Sequence, residues 1–143
     1  MNHEECLQRQ ESIKKQFSKL SSEEAKYEKI IELGRKNAHL DPLYKNEDTL
    51  VHGCQSQMYL HSYMADGKVF FEADSEALIS AGLAALLILV YSGQTPETIL
   101  TCPPTYLEEL GISTSLTPSR ANGLYGVHLK MKQLALKHLI NKS

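Results

Sequence analysis

Cysteine is scarce in this chain and odd in number: three residues, at positions 6, 54 and 102, with no close pair. That argues against a disulfide framework and for a reducing, cytosolic setting. Long hydrophobic runs are missing too. The longest, Ala81 to Tyr91, falls well short of the roughly 20 residues that span a bilayer, so it reads as a core helix and no membrane association is expected. Neither sign of charge dominates. Lys+Arg 15 stand against Asp+Glu 17, for a formal net charge of −2, and nothing in that balance favours nucleic acid as a partner. The N-terminus, Met-Asn-His-Glu-Glu-Cys-Leu, has no basic region and no apolar run, so no secretory signal is visible. There is no glycine-rich phosphate loop and no Gly-x-Ser-x-Gly elbow. The cysteines and scattered histidines show no ligand spacing for a metal site.

What is present suits a single domain. The 143 residues, 42% hydrophobic and 22% charged, are enough for a substantial core and exclude a disordered chain. No repeat, low-complexity tract or linker divides them, so residues 1–143 read as one unit. Leu7, Ile13, Phe17 and Leu20 give the first segment, from about Glu4, a thin apolar stripe. Ser21, with Glu24 in a capping box, predicts the start of a second helix. Tyr27, Ile30, Ile31, Gly34 and Ala38 supply its face, and Asp41-Pro42 its end. Thr49 to Val51 and Met58 to Met64 read as strands. Asp66-Gly67 is a hairpin turn before a strand lined by Val69, Phe71 and Ala73. Asp74 or Ser75 caps an apolar helix to about Ser92, the spine of the core, where Ala81, Gly82, Ala84 and Ala85 allow close approach. Thr95-Pro96-Glu97 and Thr117-Pro118 open two more helices, the last with Leu124, Val127, Met131, Leu134 and Ala135 on its core face. The expected fold class is α+β: a small antiparallel sheet of about three strands packed against five or six helices.

The strands flank a polar break, His52-Gly53-Cys54-Gln55-Ser56. A cysteine at the tip of such a loop is unusual, because unpaired cysteine behaves as a small hydrophobe and normally hides in a core. Two readings of Cys54 stay open on chemistry alone: a structural cysteine ending a strand, or a reactive thiol. Reactivity belongs to the thiolate, which loop amides, a cation or a histidine would favour. His52 is close enough to do so, although a solvated strand-end histidine is the commoner role. His61 and His128 lie in amphipathic segments, where a hydrogen-bonded structural role is the default. Cys6 and Cys102 have no motif around them and read as structural.

The segment Val51-His52-Gly53-Cys54-Gln55-Ser56-Gln57 resembles the signature of the SufE family of sulfur-acceptor proteins in iron–sulfur cluster biogenesis. The resemblance runs from about Ser22 to the C-terminus. It takes in Tyr27-Glu28-Lys29-Ile30-Ile31-Glu32-Leu33-Gly34, Ala73-Asp74-Ser75-Glu76-Ala77 with Gly82-Leu83, Thr95-Pro96, and Leu116-Thr117-Pro118-Ser119-Arg120 with Gly123-Leu124. Two positions depart from the family: Tyr59 stands where Trp is frequent, and His52 where another polar residue is common.

The resemblance implies that Cys54 takes persulfide sulfur from a pyridoxal-phosphate-dependent cysteine desulfurase (SufS-like), stimulates that enzyme, and hands the sulfur to an iron–sulfur scaffold complex (SufB-like). The pyridoxal phosphate belongs to the partner, so this chain needs no cofactor of its own. It acts as an accessory protein with a covalent intermediate rather than as a stand-alone enzyme. Gly53 would let the loop swing outward, with Gln55 and Ser56 beside the thiol. Met58, Leu60 and the helix from Ser75 would form an apolar hollow for the persulfide, and Arg120 would steady the loop or an anionic sulfur. The alternatives are an iron–sulfur or zinc-binding scaffold of related fold, a free-standing cysteine-nucleophile enzyme such as a hydrolase or thiol peroxidase, or a plain interaction module.

Overall fold

Helix α3 (Leu78–Tyr91) is apolar almost all round, and nine of its residues are buried, so other elements must enclose it. The computed structural model describes residues 3–53, 56–112, 116 and 118–141. Around α3 stand α1 (Glu4–Ser18), α2 (Glu23–Lys36), α4 (Pro96–Thr101), α5 (Tyr106–Glu109) and α6 (Pro118–Asn141). An antiparallel hairpin of β1 (Met58–Ala65) and β2 (Lys68–Ser75) completes the shell, so the α+β class holds.

The sheet is smaller than the sequence predicts: among the described residues it has two strands. Thr49 to Val51 pairs with β1 only through the bridge Leu50–Tyr59, with hydrogen bonds from the Val51 amide to Met58 O and from the Leu60 amide to Thr49 O. The preceding residues cannot extend the ladder because a turn engages them. Asn46 Oδ1 accepts from the Asp48 and Thr49 amides, and Thr49 Oγ1 donates to Tyr44 O. The hairpin itself follows the sequence. Asp66 and Gly67 adopt φ of 52° and 76°, the left-handed pair that a two-residue turn needs. Met58 and Leu60 face inward opposite Ser75 and Ala73.

Three helix boundaries move. Ser22, not Ser21, caps α2, its hydroxyl accepting from the Ala25 amide, which puts Glu24 one position too early for a capping box. Helix α2 stops at Lys36, so Ala38 lies beyond it, and Asp41 instead caps a single 3₁₀ turn, Pro42–Tyr44. Helix α3 begins at Leu78 without a side-chain cap, because β2 continues through Asp74 and Ser75. On α1 the buried residues are Cys6, Gln10, Ile13 and Phe17, while Leu7 is exposed.

The predicted close approach at Gly82 is met by a second glycine. Gly34 on α2 and Gly82 on α3 lie face to face. A Cβ on Gly82 would overlap the Ile30 carbonyl, and one on Gly34 the Leu78 carbonyl.

Helix α6 packs Leu124, Val127, Met131 and Ala135 into the core and brings His128 against Tyr91, with ring centroids 5.5 Å apart. His128 Nε2 is buried with no hydrogen-bond partner among the described residues, so the expected hydrogen-bonded role is replaced by ring packing. His61 likewise stacks on Tyr44, with centroids 4.0 Å apart. Burial, and then the charge of Lys132, push the His128 imidazole down to about 4. An unfolded histidine titrates near 6.5 or so. Between those values the unfolded chain takes up a proton that the folded one refuses, so stability falls as pH drops through that window. The expected cost is about 3 kcal/mol between pH 7 and pH 4. Urea melts across this range check it: His128→Leu should flatten the decline, and an equal decline in both proteins would contradict the assignment.

Candidate functional site

The loop between Val51 and Met58 is held from two sides. On one side, Asp74 at the end of β2 anchors the connection that leads into it. Its carboxylate is almost fully buried, accepts from the Leu40 amide and Lys45 Nζ at 2.9 Å each, and lies 2.8 Å from His39 Nδ1. Burial alone would raise this carboxyl, but Lys45, His39 and the Leu40 amide outweigh it and hold it below the usual carboxylate range. The same carboxylate raises Lys45. Asn37 Nδ2 adds a bond to Ala73 O at 2.8 Å. Residues 37–45 are thus stitched along β2 instead of continuing α2.

On the other side stands α6. Val51 is buried and His52 exposed, and the His52 carbonyl meets α6 at Gly126. A Cβ on Gly126 would lie 2.8 Å from His52 O and 3.6 Å from Val51 Cγ1, so glycine there lets the loop backbone rest on the helix. Gly53 then turns with φ of 88°, and a Cβ on it would meet nothing within 4 Å. Left-handed backbone in open space suits glycine and no other residue as well. Ser56 is half-buried and Gln57 exposed where the chain enters β1. Cys54 and Gln55, the sulfur-bearing tip singled out above, lie outside the described residues, as does Thr117.

Of the remaining predicted site residues, Arg120 sits in the first turn of α6 and donates from Nη1 to Tyr27 Oη on α2 at 3.3 Å. It therefore joins two of the sequence motifs, the aromatic of α2 and the start of α6. Met58 and Leu60 are packed in the core. Beside the loop's exit lies a hollow of about 300 Å³ lined by His39, Lys45, Gln57, Tyr59, Asp74 and Glu76.

Asp74 and Gly126 carry roles that sequence reasoning missed. Asp74 looked like a helix cap, since caps and buried anchors use the same acceptor chemistry. Gly126 left only a weak signal, one of two glycines, with Gly123, inside a helical pattern. Cys6 and Cys102 are free thiols buried together, both accepting from Gln10 Nε2, at 3.8 and 3.7 Å. Burial, reinforced by Cys102, pushes the Cys6 thiol up to about 12, which keeps it protonated and inert. No group of three or more His, Cys, Asp or Glu side chains among the described residues is arranged to hold a metal ion. No helix there is long and apolar enough to cross a membrane.

Comparison with known proteins matches residues 11–135 to the family described as SufE, Fe-S metabolism associated domain. An uncharacterized SufE-like protein of Synechocystis is 36% identical over 134 residues, covering 92% of this chain and 82% of that protein. SufE-like protein 1 of Arabidopsis thaliana, named as chloroplastic/mitochondrial, is 36% identical over 137 residues, or 95% of this chain, which spans 37% of that longer protein. The solution structure of a hypothetical protein from Thermus thermophilus superposes with a TM-score of 0.76 at 25% identity, covering 92% of this chain and 96% of that one.

Proposed function

The chain belongs to the SufE family, whose domain is associated with Fe–S metabolism, and from that premise we propose that it is a sulfur carrier working through Cys54. The Cys54 thiolate attacks the outer sulfur of a persulfide held on a pyridoxal-phosphate-dependent cysteine desulfurase. A sulfur–sulfur bond forms to Cys54, the bond within the donor persulfide breaks, and the donor's cysteine leaves as a thiolate. Cys54 then carries a persulfide, and its outer sulfur passes to an iron–sulfur scaffold. The pyridoxal chemistry stays with the donor. A reducing compartment such as the cytoplasm suits a carrier of this kind, since the thiol has to be regenerated as a thiolate.

The observation that carries the reading is the turn at Gly53. It is exposed and left-handed, has open space where a Cβ would stand, and is braced from behind by α6 at Gly126. A loop that is held at its base and open at its bend can present the adjacent side chain to another protein's active site. His52 and Ser56 flank that bend, and Arg120 holds the start of α6 against α2.

Adding this protein to a cysteine desulfurase supplied with free cysteine is expected to raise the rate of alanine production in a saturable way. No stimulation at saturating concentration would contradict the proposal.

A further inference from the structure

Helix α6 has a second apolar face that the core does not use. Tyr125, Leu129, Leu136 and Ile140 are 57%, 55%, 47% and 62% exposed. At 3.6 residues per turn they fall within an arc of about 60° and run for about 22 Å, on the side away from the buried residues of the helix. The charge along the helix is one-sided: Arg120, Lys130, Lys132 and Lys137 without a single Asp or Glu, in a chain whose formal net charge is −2. The lysines flank the stripe on both sides. Its near end adjoins the loop, because Tyr125 precedes Gly126, the residue on which the His52 carbonyl rests.

We propose that this stripe is the docking surface for the protein that delivers sulfur to Cys54, and that the donor meets it with an apolar groove edged by carboxylates. The proposal rests on the sulfur-transfer reading above. Apolar side chains at the centre with cations at the rim are the anatomy of a specific protein interface. Rim charge of one sign selects a partner of the other sign and speeds its approach. Continuity with the loop brings a protein seated on α6 to the His52–Gly53 bend that precedes Cys54 in the chain. A second copy of this chain fits poorly, since it would set lysine against lysine.

The test uses the full chain carrying Leu129→Glu with Leu136→Glu, both exposed positions, and separately Lys130→Glu with Lys132→Glu and Lys137→Glu. Circular dichroism checks that each variant folds. The concentration needed for half-maximal stimulation of a cysteine desulfurase should rise about tenfold or more for each variant, with the plateau rate unchanged. In the wild type that concentration should also rise with salt, and the lysine variant should lose most of this dependence. If the wild type takes up sulfur and the leucine variant does so at the same half-saturating concentration, the docking surface is refuted while the sulfur-transfer reading stands. If the wild type takes up no sulfur, both fall. Cosedimentation with phosphatidylglycerol vesicles, or self-association in sedimentation velocity, either of them lost in the leucine variant while docking to the desulfurase is unchanged, would assign the stripe elsewhere and overturn the proposal.

Discussion

Gly82→Ala is expected to destabilise the protein by about 3 kcal/mol, near the top of the usual range for overpacking. The new Cβ would be driven into the Ile30 carbonyl and would also lie 2.8 Å from Ile30 Cγ2. A side-chain atom could rotate away, but the carbonyl belongs to α2, so the helix as a whole must retreat. The reciprocal contact makes that retreat costly. Gly34 faces the Leu78 carbonyl and lies against the Gly82 amide, so both helices give up close packing at once. Helix α3 is the spine about which the other elements are arranged, which spreads the strain to β2 and α6. Urea melts should show a lower midpoint with an unchanged slope. Gly34→Ala should behave in the same way. A change below about 0.5 kcal/mol for either variant, the scale of an ordinary surface substitution, would contradict the tight crossing.

The second large effect falls on function without touching the fold. Cys54→Ser is expected to melt within about 0.5 kcal/mol of the wild type, the scale of an ordinary surface substitution, while losing stimulation of the desulfurase. The hydroxyl matches the thiol in size, but it neither ionises near neutral pH nor attacks sulfur. Its neighbours predict the small structural cost. A Cβ on Gly53 would meet nothing within 4 Å, His52 is exposed, and the described contacts that brace the loop lie at its base, where the His52 carbonyl rests on Gly126 and Asp74 anchors the connection leading in. Cys6 and Cys102 supply a contrast, because the burial that keeps Cys6 protonated keeps it out of exchange chemistry. Retained stimulation by Cys54→Ser would remove the thiol from the mechanism.

The sequence was legible where a local signal has one structural meaning. Asp66-Gly67 supplies two residues that tolerate left-handed backbone, and the hairpin follows. Thr95-Pro96 caps α4, with the Thr95 hydroxyl accepting from the Thr98 amide. The run through α3 is too apolar to lie anywhere but inside. Legibility failed where a residue's partner is distant in the chain. Asp74 has the look of a cap, yet its acceptors serve Leu40, His39 and Lys45, more than 25 residues upstream. Once Asp74 is committed to that anchor, β2 runs longer and α3 begins later than the cap pattern suggests. The third strand shrank to one bridge because a turn centred on Asn46 takes the hydrogen-bonding groups that a ladder would have used. Gly126 had a role only in relation to a carbonyl on another element, and no periodicity along α6 encodes that.

The central claim concerns one sulfur atom, and intact-mass spectrometry reads it directly. Wild type and Cys54→Ser are each incubated with a cysteine desulfurase and free cysteine, then weighed under non-reducing conditions. The wild type is expected to gain the mass of one sulfur, removable by a thiol reductant and mapped by peptide analysis to Cys54, while the variant gains nothing. The same one-sulfur gain on Cys54→Ser would contradict the account.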